Sequence, residues 1–344
     1  MKRKYAVDAN RLFLLSIIMS QFLMPLVIFL GVQDLLFLQF LIEFFMVLPC
    51  AFYLFFQGRP LRESIGINPL TWKQWLLLLP LAACMDKIAE FVNVISQLFS
   101  TNIVGGHMAE LILRYPLPVV LFVVAGMPML CEELIYRGVL YQGYRRTSIF
   151  LAIVLSAFLF GIMHMNLNQF SYAVVLGVMF CLINEAAGSI LPSMVMHFYI
   201  NGRSVVLLYA VVNYLTGLHN EYIAAEAVGN TGLMAELLEK AGGVPIYEKE
   251  WLTAYLNTEP EDVTGGILAL VPGTVFAIIV VILIIRYFLR STGRMEYFKA
   301  IFRRKETGYG AEEERKSPVR SILSPTLFVG CIICILFMVS DFLL

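Results

Sequence analysis

The chain has 344 residues, 59% of them hydrophobic and only 15% charged, and its 25 basic and 25 acidic residues cancel to zero net charge. A soluble globular domain is about 45–50% apolar and 25% charged, so the composition excludes one. The neutral balance likewise offers no basic surface for nucleic acid.

Several apolar runs reach the roughly 20 residues that cross a bilayer as helix. Each such span satisfies its own backbone, so the chain reads as an all-α, polytopic transmembrane bundle. In chain order nine spans are expected, at about 11–33, 35–56, 74–98, 116–141, 148–167, 169–187, 189–213, 265–289 and 322–343. They divide into N-terminal spans (1–115), a core (116–213), an extracytoplasmic loop (214–264) and C-terminal spans with a basic loop (265–344). The N-terminal Met1-Lys2-Arg3-Lys4 resembles the start of a signal peptide, but the apolar run behind it is too long and lacks a small-residue cleavage site. It reads as a retained first span.

Basic residues set the orientation. With the N-terminus cytoplasmic, twenty Lys and Arg fall inside and three (Arg114, Lys240 and Lys249) outside, while Lys87 and Arg203 lie within spans. The C-terminus is then extracytoplasmic. The basic stretch Ser291–Arg320 suits anionic lipid headgroups. The loop near 215–263 carries nine acids and an amphipathic segment, Thr231–Lys240. It reads as a solvated loop with short helices on the membrane, or as a lid. All six cysteines fall within spans, where they read as small hydrophobes, the Cys331-Ile-Ile-Cys334 spacing included.

Charges inside a span are expensive unless paired or wet. The third span holds Asp86, Lys87 and Glu90. Asp86 and Glu90 share a helix face, and Lys87 can pair with Glu90. They read as solvated residues of a short span, or as the lining of a polar cavity. The fourth span holds Cys131-Glu132-Glu133-Leu134-Ile135-Tyr136-Arg137. Glu133 and Arg137 are four apart on one face. Glu132 is turned about 100° away from Glu133, so it faces another helix. The fifth span ends Phe160-Gly161-Ile162-Met163-His164, and the seventh carries His197-Phe-Tyr-Ile-Asn201.

With a rise of about 1.5 Å per residue, Glu132, His164, His197 and Asn201 can share one layer inside the bilayer. A carboxylate and an imidazole can share a water and take its proton. A second imidazole and an amide can hold the resulting oxyanion. Alternatively, Glu132, His164 and His197 are ligand types of a catalytic zinc site. The single-helix HExxH arrangement is absent, and three ligands on three helices carry no spacing signature. That favours glutamate-activated water.

Glu132-Glu133-x-x-x-Arg137, Phe160-x-x-x-His164 and His197-x-x-x-Asn201 resemble, in order and type, the three motifs of the CPBP family. This family comprises type II CAAX prenyl endopeptidases and bacteriocin-processing or abortive-infection-like membrane proteins. The resemblance covers roughly 116–208, including Gly188-Ser-Ile-Leu-Pro-Ser before His197. It implies intramembrane hydrolysis of a peptide bond in a membrane-associated protein or peptide precursor. By the same resemblance Glu132 is general base, His164 helps position the water, His197 and Asn201 stabilise the oxyanion, and Glu133 and Arg137 order the site. Family members are described both as metalloproteases and as metal-free glutamate enzymes. The competing readings are a non-enzymatic immunity or scaffold protein that binds a peptide in the same pocket, and a transporter. The transporter lacks the repeated halves it requires.

Overall fold

The computed structural model describes residues 2–100, 108, 111–242, 244–247, 263–303, 319 and 322–343. Every expected span is a helix, and no strand occurs among the described residues. We number them α1 (Lys2–Phe29), α2 (Leu35–Phe56), α3 (Leu61–Ile65), α4 (Trp72–Ser96), α5 (Leu117–Tyr144), α6 (Ile149–Ile162), α7 (Leu167–Ala187), α8 (Leu191–Ala227), α9 (Thr231–Lys240), α10 (Val263–Ser291), α11 (Met295–Phe302) and α12 (Pro325–Leu343).

Six of these, α1, α2, α5, α7, α8 and α10, are long and apolar enough to cross a membrane. The other three expected spans differ from them in physical ways. Helix α4 is long enough but interrupted by charge. Helices α6 and α12 are apolar but short. The 14 residues of α6 rise only about 21 Å, less than the roughly 30 Å hydrocarbon core. The seventh span does not stop near 213 but continues as helix to Ala227. Amphipathic α9 then folds back on it, burying Leu237 against Leu215, Leu218 and Tyr222. Residues 248–262 and most of the basic stretch, 304–318, lie outside the described residues.

Polar side chains start the helices. Asp34, Ser148, Asn166 and Asn230 each accept a backbone N–H in the first turn of α2, α6, α7 and α9. Thr71 and Gln74 form a reciprocal capping box on α4. Asp34 also accepts the Tyr115 hydroxyl, which ties the start of α2 to the approach of α5 and holds the Asp34 carboxyl below its ordinary range.

Two apolar cores flank a central layer. One joins α1, α2 and α12 to α5 and α6. The other joins α4 and α10 to α7 and α8. The helices bearing the candidate site, α5 and α8, therefore lie where the two cores meet. The charges of α4 are not simply solvated. Asp86 is 9% exposed and pairs with Arg203 of α8 at 2.8 Å, while Lys87 pairs with Glu90 at 2.6 Å.

Helices α6 and α7 touch through glycine. A Cβ at Gly177 would lie 2.8 Å from the Ala157 backbone, and one at Gly161 only 2.4 Å from Val174. Membrane helices associate mainly by such close packing of small residues. Gly177→Val should therefore cost about 1–3 kcal/mol through overpacking. The measurement is thermal unfolding in detergent micelles. An unchanged midpoint would mean that this crossing relaxes freely.

Candidate active site

Helix α5 is not a uniform α-helix. Phe122–Gly126 and Leu134–Leu140 are wide, π-helical turns on either side of the segment carrying Glu132 and Glu133. Such turns present backbone carbonyls sideways and recur at functional sites. Neighbouring helices take up one carbonyl from each. Asn201 Nδ2 of α8 donates to the Val124 carbonyl at 3.2 Å. Ser156 Oγ of α6 donates to the Tyr136 carbonyl at 2.8 Å. The wide turns are thus pinned to the helices that bring the other site residues.

Glu133 and Arg137 form a fully buried ion pair, with Nη1 2.8 Å from Oε1. The Arg137 guanidinium lies between two aromatic faces, 4.2 Å from the Phe160 ring centre and 5.0 Å from that of Phe180. The same Glu133 oxygen meets His197 Nδ1 at 3.0 Å. With Nδ1–H donating to this carboxylate, Nε2 is the nitrogen left for another partner. Nε2 faces Glu132 Oε2 at 3.6 Å. His197 therefore bridges the two glutamates, one at each ring nitrogen, and Arg137 anchors the far end of the row.

His164 arrives differently. It sits in the turn after α6, with Nδ1 2.9 Å from the Phe160 carbonyl. Its ring stands edge-on to Phe160 at 5.2 Å, and Phe160 packs against His197 at 5.8 Å. Phe160 thus spaces the two imidazoles. The following residue, Met165, holds φ at +52°, a left-handed conformation that costs a non-glycine residue free energy. That bend leads into the Asn166 cap of α7. It keeps His164 facing a cavity of about 280 Å³ that Glu132, Tyr136, Met163, Met165 and Gln169 also line.

The structure therefore gathers Glu132, Glu133, Arg137 and His197 into one contact row and sets His164 and Glu132 on one cavity. Asn201 lies one helical turn beyond His197, with one amide N–H used by Val124. The imidazole that faces Glu132, at 3.6 Å, belongs to His197, and His164 shares the cavity with Glu132. The same cavity also reveals a residue the sequence reading passed over. Glu43 is the lone charge of α2, is 3% exposed, and reaches the cavity alongside Gln21 and Gln39. A single acid in an apolar span is itself a warning of function.

A second cavity, of about 230 Å³, lies on the other side of Arg137, among Tyr141, Asn184, Glu185 and Arg294. There Glu185 is held by Arg145 at 2.9 Å, Arg294 at 3.1 Å and the hydroxyls of Tyr141 and Tyr297. Among the described residues no group of three His, Cys, Asp or Glu is placed to hold a metal ion.

Removing one partner of a buried ion pair strands the other charge, at about 3–5 kcal/mol. Arg137→Ala should lower the unfolding midpoint accordingly. The double change Glu133→Leu with Arg137→Met should recover part of the loss. Thermal unfolding of both purified variants checks this, and additive losses would contradict a coupled pair.

Residues 94–203 match the family model described as type II CAAX prenyl endopeptidase Rce1-like. The matched segment starts at the end of α4, ends two residues past Asn201, and holds all seven named residues of the three motifs. Glu43, Gln21 and Gln39 lie outside it. No curated protein and no solved structure matches the chain. The chain thus carries an Rce1-like domain over about a third of its length, set in a multi-pass helical membrane protein, and this domain supports a CAAX-type intramembrane endopeptidase.

Proposed function

We propose that the chain hydrolyses a peptide bond of a membrane-associated protein or peptide precursor by glutamate-activated water. The observation that carries this reading is the bridge made by His197, with Glu133 on Nδ1 and Glu132 facing Nε2. A residue that only had to satisfy Glu133 would need one nitrogen. Here the second is aimed at an acid that lines a cavity large enough for water and a peptide main chain.

In this mechanism a water sits between Glu132 and His164. Glu132 takes one proton as the water oxygen bonds to the scissile carbonyl carbon. The carbonyl oxygen becomes an oxyanion, stabilised by His197, protonated on Nε2, and by the free N–H of Asn201. Glu133, fixed by Arg137, orients the His197 ring and supports its charge. The C–N bond then breaks, and the proton held by Glu132 passes to the departing amine. The products are a carboxyl terminus and a free amine. No step is routed through a metal.

We also propose that the N-terminus is cytoplasmic and the C-terminus extracytoplasmic. The support is the bias of basic residues, nineteen to three once the buried Arg137 is left out.

Glu132→Ala should abolish cleavage of a quenched-fluorescence peptide with an apolar anchor, a loss of about 10²–10⁴-fold for a general base, with the protein still folded. Full activity in that variant would remove Glu132 from the mechanism. Elemental analysis and turnover after chelation form a separate test. The expected result is turnover that survives chelation. Stoichiometric zinc with chelator-sensitive turnover would replace this mechanism by a metal-dependent one.

A further inference from the structure

The mechanism above leaves one buried acid without a task. Glu43 lies in the interior of α2, whose other residues carry no charge. Burying a carboxyl group in an apolar bundle costs several kcal/mol unless it is paired or hydrogen-bonded. No basic side chain pairs with it among the described residues. It lines the same cavity as Glu132, where α2 packs against the Met127–Glu133 segment of α5. Glu43 Oε2 and Glu132 Oε2 are both buried without a protein hydrogen-bond partner.

Two carboxylates in contact repel. Two carboxyl groups in contact attract when one carries a proton and donates it to the other. Several groups face this pair. From α8, His197 Nε2 faces Glu132. From α5, Glu133 and Arg137 lie beyond that histidine. From α1, α2 and α7 come only the neutral carboxamides of Gln21, Gln39 and Gln169, and His164 faces the cavity from the turn after α6. The pair is therefore held best as one carboxyl and one carboxylate that share a single proton.

We propose that Glu43 is a positioning residue for the hydrolytic reaction. Its carboxyl group shares a proton with Glu132, so that the base is held between α2 and His197. The proposal rests on the reading of Glu132 as general base. It gives the α1–α2 hairpin, which lies outside the matched segment 94–203, a direct part in arming the site. The hairpin would close one wall of the cavity and also set the rotamer of the base. A misplacement of about 1 Å at a catalytic group can cost 10²-fold in rate, so a group that only orients Glu132 acts on kcat.

The test uses the full-length purified chain with Glu43→Leu and Glu43→Gln, and Glu132→Ala as reference. The probe is the quenched-fluorescence peptide with an apolar anchor. Glu43→Leu should lower kcat about 10- to 100-fold with KM unchanged and the unfolding midpoint not lowered. Glu43→Gln, whose carboxamide can donate the same hydrogen bond, should restore kcat to within a few-fold of wild type. Wild-type kcat in Glu43→Leu overturns the proposal. So does a change confined to KM, which would make Glu43 a substrate contact. An equal loss in both variants with lowered unfolding midpoints makes it a packing residue and also overturns it. If Glu132→Ala keeps full activity, the general-base reading itself has failed, which these other outcomes do not imply. Infrared spectroscopy gives a readout independent of turnover. A carboxylic-acid C=O stretch should be present in wild type, absent in Glu43→Gln and shifted in Glu132→Ala. A wild-type minus Glu43→Gln difference without such a band overturns the proposal.

Discussion

The structure depends on one buried ion pair. Glu133 and Arg137 sit a helical turn apart, almost wholly removed from solvent, in surroundings where neither would be tolerated alone. Their mutual neutralisation lets a second carboxylate and an imidazole enter the same layer. Glu133 spends one oxygen on both Arg137 and His197, which fixes the ring. The ring in turn faces Glu132. Aromatic rings complete the setting, since Phe160 and Phe180 cover the guanidinium and separate it from the surrounding apolar side chains. The pair adds little net stability by itself. Its contribution is a defined orientation for everything attached to it.

The scaffold serves that orientation by breaking its own regularity. The two wide turns of α5 loosen the backbone on each side of the glutamates, and Asn201 and Ser156 take the carbonyls so presented. Close approach of α6 and α7 at Gly161 and Gly177 brings the short α6 deep enough for Phe160 and His164 to reach the layer. Met165, in its left-handed conformation, ends that helix within the bundle rather than at its surface. A helix too short to cross the bilayer unaided is suited to delivering a side chain to mid-depth.

Much of this is legible in the sequence, and the remainder is not for definite reasons. Helical periodicity and the cost of charge in apolar runs reveal the helices and the Glu133–Arg137 pairing. They do not reveal which imidazole approaches Glu132, because that depends on the rotation of α8 against α5 and not on spacing along either. Nor do they reveal the partner of Asp86, since Arg203 lies more than a hundred residues away. Glu43 was within reach of the same reasoning. A lone acid in α2 carries the same warning as the pair in α5, but without a second polar residue on its face it forms no pattern. The continuation of α8 beyond its apolar part depends on α9 folding back to cover it, which no local signal encodes.

Hydrolysis inside a bilayer sets two demands against each other, since the reaction consumes water and the membrane must not conduct ions. The two cavities of this bundle meet that conflict. One opens beside Glu132 and His164, the other beside Arg145, Glu185 and Arg294, and the layer of Glu133, Arg137, Phe160 and Phe180 stands between them. An ion pair sealed between two rings leaves little room for water in that layer. The same pair that aligns the chemistry thus doubles as a bulkhead, so that a wet chamber can exist on one side without becoming a leak to the other.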